Sequence, residues 1–141
     1  MRLLRGLILL ALGLPAVAAA ECGYISSAAK PPLDDGIYPA EIRKIDGVEQ
    51  PRRAQNRIRL SAGKHRIAIQ ERIGTVPRGY TALRKLGNRE VALVLKILDI
   101  EVQADTLYQI GARLHKDRLD PKQPHAYWEP VVWREQAQDC G

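Results

Sequence analysis

Alternation of apolar and polar side chains recurs along this chain in short runs, the pattern of strands with one buried face. Ile58 and Leu60 alternate with Arg57 and Arg59, giving one apolar and one basic face. Ser61-Ala62-Gly63-Lys64 then reads as a turn, and His65, Ile67 and Ile69 alternate with Arg66, Ala68 and Gln70 beyond it. Together these runs predict a β-hairpin. Upstream, residues 37–45 read as a strand containing Pro39. Proline cannot donate to a ladder, so this strand lies at an edge or starts at Ala40. Asp46-Gly47 is a tight-turn signal, and Ala104-Asp105-Thr106 predicts another turn. After it Tyr108, Ile110, Ala112 and Leu114 alternate, and residues 127–133 predict a last strand.

Two stretches are less regular. In residues 91–102 the apolar parity switches, Val91, Leu93, Leu95 and Ile97 sharing one parity and Leu98, Ile100 and Val102 the other. A bulge near Ile97 would reconcile them, or two elements meet there. Residues 73–90 carry Gly74, Pro77, Gly79 and Gly87-Asn88, leaving room for two helical turns at most. The sum is six or seven strands without a repeated long helix. That predicts an all-β antiparallel sandwich or small barrel and excludes a βαβ fold.

The N-terminus has its own pattern. Arg2 and Arg5 precede an apolar run at residues 7–12, then Gly13, Pro15 and Ala16-Val17-Ala18-Ala19-Ala20. This predicts a Sec-type signal peptide over residues 1–20, cleaved before Glu21, and one domain over residues 21–141. The run is too short to serve as a membrane anchor, so no transmembrane segment is expected after cleavage. Glu21 before Cys22 argues against lipidation. Cys22 and Cys140 are the only cysteines, and in an oxidising compartment they are expected to pair. The expected location is the periplasm or the exterior.

Charge is unevenly spread. Residues 43–96 hold fourteen Lys or Arg against four acids, whereas both flanks are net acidic. For an exported protein this makes nucleic acid an improbable partner. It points instead to an envelope protein or an anionic glycan or lipid surface. Arg52, Arg53, Arg57 and Arg59 are the densest basic cluster, and guanidinium forks match phosphate and carboxylate groups. Tyr127, Trp128 and Trp133 crowd the last strand and join these arginines as candidate binding residues; Trp128 and Trp133 have opposite parity, so one of them should leave the core.

The segment from Arg57 to Ile69, with Asp46-Gly47 before it and Asp105-Thr106-Leu107-Tyr108-Gln109-Ile110 after it, resembles small exported domains of the PEGA type over residues 36–115. The resemblance implies an immunoglobulin-like or transthyretin-like sandwich in the cell envelope, without a catalytic site. The basic loop at residues 51–55 and the Trp-bearing last strand depart from it.

No motif for catalysis, a cofactor or a metal stands out. His65 is read as a turn-stabilising residue, with no serine or cysteine nearby in sequence to be its nucleophile. His115, Asp117, Asp120 and His125 lie in a proline-bearing loop at spacings that match no zinc pattern. The expectation is a non-enzymatic binding or scaffolding protein; the alternative is a small hydrolase or enzyme inhibitor acting near His65 or His115.

Overall fold

The computed structural model describes residues 21–51, 57–74 and 94–141. The expected signal peptide over residues 1–20, the candidate binding residues Arg52 and Arg53, and residues 75–93 lie outside the described residues. Two sheets pack face to face. Sheet A contains β1 (Cys22–Ser26), β2 (Ile37–Tyr38), β5 (Ile58–Ser61), β8 (Thr106–Leu114) and β9 (Trp128–Ala137). Sheet B contains β3 (Ala40–Ile45), β4 (Val48–Glu49), β6 (Gly63–Glu71) and β7 (Lys96–Val102). The fold is an all-β sandwich, with every pairing antiparallel except β1 with β8.

β8 is the centre of sheet A. β9 runs along one edge of it, β1 and β2 share the other, and β5 lies outside β1. The core between the sheets is mostly isoleucine: Ile25, Ile42, Ile45, Ile67, Ile69, Ile73, Ile100 and Ile110, with Val102, Tyr108, Tyr127 and Trp128. A chain without phenylalanine fills a sandwich this way because β-branched side chains stack well on pleated surfaces. Tyr108 also closes a corner. Its hydroxyl accepts from Gln103 N–H at 2.9 Å and donates to the Glu101 carbonyl at 3.3 Å. Immunoglobulin-like sandwiches use a tyrosine corner of this kind.

The expected disulfide is present. Cys22 and Cys140 are bonded with their Cα atoms 5.9 Å apart, across 118 positions of sequence. Closing so long a loop stabilises the fold by about 5 kcal/mol in the chain-entropy treatment. Asp105 sits beside it, accepting from Cys140 N–H at 3.1 Å and donating its own N–H to the Cys22 carbonyl at 2.8 Å.

Three expectations need correction. The strand count is nine among the described residues, against the six or seven expected. β1 and the two-residue β4 are added, and Pro39 splits the 37–45 run, its second strand starting at Ala40 as expected. Ile37–Tyr38 pairs with β8 in sheet A, while Ala40–Ile45 pairs with β6 in sheet B. The predicted hairpin at residues 58–69 is not a hairpin. β5 pairs with β1, whereas β6 pairs with β3 and β7, so the segment at Ala62 carries the chain from one sheet to the other. Gly63 makes that corner with φ +124°, a conformation open to glycine and costly for other residues. β7 begins at Lys96 and pairs with β6 without a break, so it has no bulge at Ile97; that side chain points outward, 48 % exposed. The Asp46-Gly47 turn is as predicted. Both residues have positive φ, at 48° and 83°, which suits a two-residue hairpin loop joining β3 to β4.

Candidate functional site

The outer face of sheet A gathers the arginines and aromatics that the sequence separates. In register, Arg59 of β5 lies beside Tyr24 of β1, and Tyr24 beside Leu107 of β8. The next row runs from Ser26 to Gln109 and Arg134, and Arg57 lies just before β5. Arg57 and Arg59 are exposed and two residues apart, so they project together. The Arg57 guanidinium stands 5.8 Å from the Tyr24 ring centroid.

On the far side, a β-bulge sets the geometry. Gln109 faces Arg134 and Ile110 faces Val132, so Trp133 is the extra residue. A bulge places two successive side chains on one side of the strand. Trp133 therefore leaves the core as its parity requires, and Arg134 joins it, 5.1 Å from its ring centroid. The indole is half-buried over Gly111, where there is no side chain to displace it. A β-carbon on Gly111 would stand 2.9 Å from both Trp133 Cδ1 and Ile37 Cγ2.

Two polar atoms beneath this surface lack partners. Gln109 is 7 % exposed, and its Oε1 makes no hydrogen bond; neither does the buried Nε1 of Trp133. Among the described residues Arg57, Arg59 and Arg134 meet no carboxylate. Other cations of the basic middle are engaged: Arg66 with Asp99 at 3.2 Å, Arg72 with Glu41 through Nε at 2.8 Å, and Arg43 with Gln70 at 2.7 Å. The strand positions of this face include one acid, Glu129, at the opposite end and 3.1 Å from His115 Nε2.

Tyr127 and Trp128 do not belong to the surface, contrary to the sequence-based assignment. They are 4 % and 1 % exposed and pack in the core, because the strand's inward parity starts at Trp128. Lys96 crosses from β7 to hold this end of β9. Its ammonium donates to the carbonyls of His125 and Trp128, each at 2.5 Å, and lies 5.0 Å from the Trp128 ring centroid. Burial lowers its pKa, with Arg118 acting in the same direction against Glu129. Among the described residues no three His, Cys, Asp or Glu side chains converge as metal ligands.

Contrary to the expectation that no serine lies near His65, the structure assembles a second constellation: Asp46, His65 and Ser61. His65 Nδ1 is 2.6 Å from Asp46 Oδ2, and its Nε2 is 3.4 Å from Ser61 Oγ. An open cavity of about 480 Å³ adjoins it, with Lys64, Arg66, Asp99 and Glu101 in its lining. The order of groups matches a serine–histidine–aspartate relay, but the hydrogen bonds do not. Nε2 lies closer to the Ser61 carbonyl oxygen, at 2.8 Å, and a carbonyl only accepts. Both ring nitrogens thus donate, which is the imidazolium form, with no lone pair left for the Ser61 hydroxyl proton. Burial opposes that charge, but the Asp46 carboxylate and Ser61 carbonyl outweigh it and raise the pKa. Asp46 is lowered by the Arg66 backbone N–H and by His65. The cluster fastens the sheet-crossing corner to the β3–β4 turn.

A four-residue spacing between Ser61 and His65 was visible in the sequence; their approach to Asp46 was not. Tyr24, Gln109 and Arg134 gave no signal, since strand partners and a bulge bring them together. No protein family, curated protein or solved structure matches the chain.

Proposed function

We propose that this is a non-enzymatic protein of the cell envelope, periplasmic or secreted, that binds an anionic envelope component through the outer face of sheet A. The observation carrying this reading is the placement of Arg57, Arg59 and Arg134 on one face, free of carboxylates, around Tyr24 and Trp133. Guanidinium groups not engaged by the protein's own acids are available to a ligand's. Export is supported by the Cys22–Cys140 bond, which belongs to oxidising compartments, and by the signal-like first 20 residues. Among the described residues no helix is long and apolar enough to cross a membrane. The absence of catalysis is supported by the double donation from His65, which withholds the base a hydrolase would need.

The test is co-sedimentation with a total cell-envelope fraction across a salt series. Wild-type protein should sediment at low salt and be released as salt screens the contacts over about 8 Å near physiological strength. The triple variant Arg57→Gln, Arg59→Gln, Arg134→Gln should remain in the supernatant. Equal sedimentation of the two proteins would remove this face from consideration.

A further inference from the structure

We propose that the occupant of the sheet A face is an acidic glycan, a saccharide chain bearing carboxylates, laid across the strands with its hydroxyls bonded at Gln109 and Trp133. This rests on the binding face proposed above and names the chemistry it recognises. Three observations lead to it.

The first is the paired vacancy in hydrogen bonding. Gln109 Oε1 is an acceptor and Trp133 Nε1 a donor; both are buried and unpartnered, and they belong to neighbouring strands on either side of the bulge register. A hydroxyl can answer either atom, donating to the amide oxygen or accepting from the indole. A carboxylate or phosphate oxygen only accepts and would leave Gln109 unpaired. Arg134 pairs in register with Gln109, and its exposed side chain stacks on Trp133.

The second is the placement of charge. Arg59 stands on β5, with Arg57 just before it, and Arg134 on β9, three interstrand steps away, about 14 Å. An extended polymer with an acid on successive units can engage both ends, each guanidinium fork taking one carboxylate. Tyr24 and Trp133 between them supply ring surface of the kind that sugar C–H faces pack against.

The third is what the face lacks. Its aliphatic side chains are recessed, Ile37 at 5 % and Leu107 at 4 % exposure. Among the described residues the exposed large apolar ones, Leu33, Val48 and Ile97, lie elsewhere, in the turn before β2 and on sheet B. A bilayer-seeking face would present protruding apolar groups, and this one withdraws them.

The experiment uses titration calorimetry of the purified protein with polygalacturonate, with uncharged dextran, and with vesicles containing phosphatidylglycerol. Polygalacturonate should bind and dextran should not. The triple arginine variant should weaken polygalacturonate binding about tenfold or more. Gln109→Leu and Trp133→Phe should each weaken it several-fold. Gln109→Leu should melt no lower than wild type, because the amide oxygen it removes is unsatisfied. Lower melting with unchanged binding would make Gln109 structural and overturn the hydroxyl contact. Binding to vesicles but not to polygalacturonate, abolished in the triple variant, would overturn the glycan while leaving the face intact. Binding of every probe equally by wild type and triple variant would defeat the face itself.

Discussion

Gly111→Ala perturbs the seat of Trp133 by one methyl group. Its β-carbon would stand 2.9 Å from Ile37 Cγ2 and from Trp133 Cδ1, and 3.1 Å from the Tyr38 carbonyl oxygen. Ordinary carbon–carbon contact lies near 3.5–4.0 Å, so both side chains must retreat by about 0.6 Å or more. Overpacking of this kind costs about 1–3 kcal/mol. Alanine returns about 0.5–1 kcal/mol by restricting the unfolded chain, since Gly111 does not need positive φ. The net loss is about 0.5–2 kcal/mol, or roughly 2–10 °C in melting temperature for a domain of this size. Tryptophan emission checks the location. Trp128 is enclosed at 1 % exposure and should not respond, whereas Trp133 is half-buried and should shift to the red as it is lifted off the sheet. Gly23→Ala is the control for magnitude. There the new carbon meets the backbone oxygens of Gln103 at 2.7 Å and Thr106 at 2.9 Å, which cannot rotate away. It should cost about 3 kcal/mol or more. The reasoning fails if Gly111→Ala melts and emits like wild type, or if it is the more damaging of the two.

At the sheet-crossing corner, Gly63→Val should cost about 1–3 kcal/mol from backbone strain alone, as nothing lies within 4 Å of the added carbon; an unchanged urea midpoint would refute this. The His65 tie should depend on pH in a defined direction. Its folded pKa is raised above the ordinary 6.5, so its stabilisation is complete below that value and is lost as pH rises through the folded pKa. Asp46 is lowered from 3.8, so its share is present above that value and lost as pH falls through its folded pKa. The urea-midpoint gap between wild type and His65→Gln should therefore narrow from about pH 6 to about pH 9, and a constant gap would show that the imidazolium is not what holds the corner.

What the sequence determined by itself is the strand class, the disulfide and the sorting of faces. Alternation in Ile58-Arg59-Leu60 and in Tyr108-Gln109-Ile110 reports which side chains turn inward, because successive residues of a strand point to opposite sides. Positive φ at Asp46-Gly47 and the pairing of Cys22 with Cys140 were legible for equally local reasons: few residues tolerate that turn, and no other cysteine exists. Alternation carries no information about which strand lies alongside. Residues 58–69 therefore read as a hairpin, although a chain with two sheets to fill can use the same turn to change sheets. Only the tertiary structure decided that Pro39 and Gly63 are crossings, since that depends on partners far along the chain. The candidate site followed the same rule. Arg57 and Arg59 were found as a local pair, but their neighbours Tyr24, Gln109 and Arg134 arrive through β1–β5, β1–β8 and β8–β9 pairing. The bulge at Trp133, one unpaired residue in ten, set an indole and a guanidinium on one face, a choice made by the register of β9 against β8 and written in no short-range pattern.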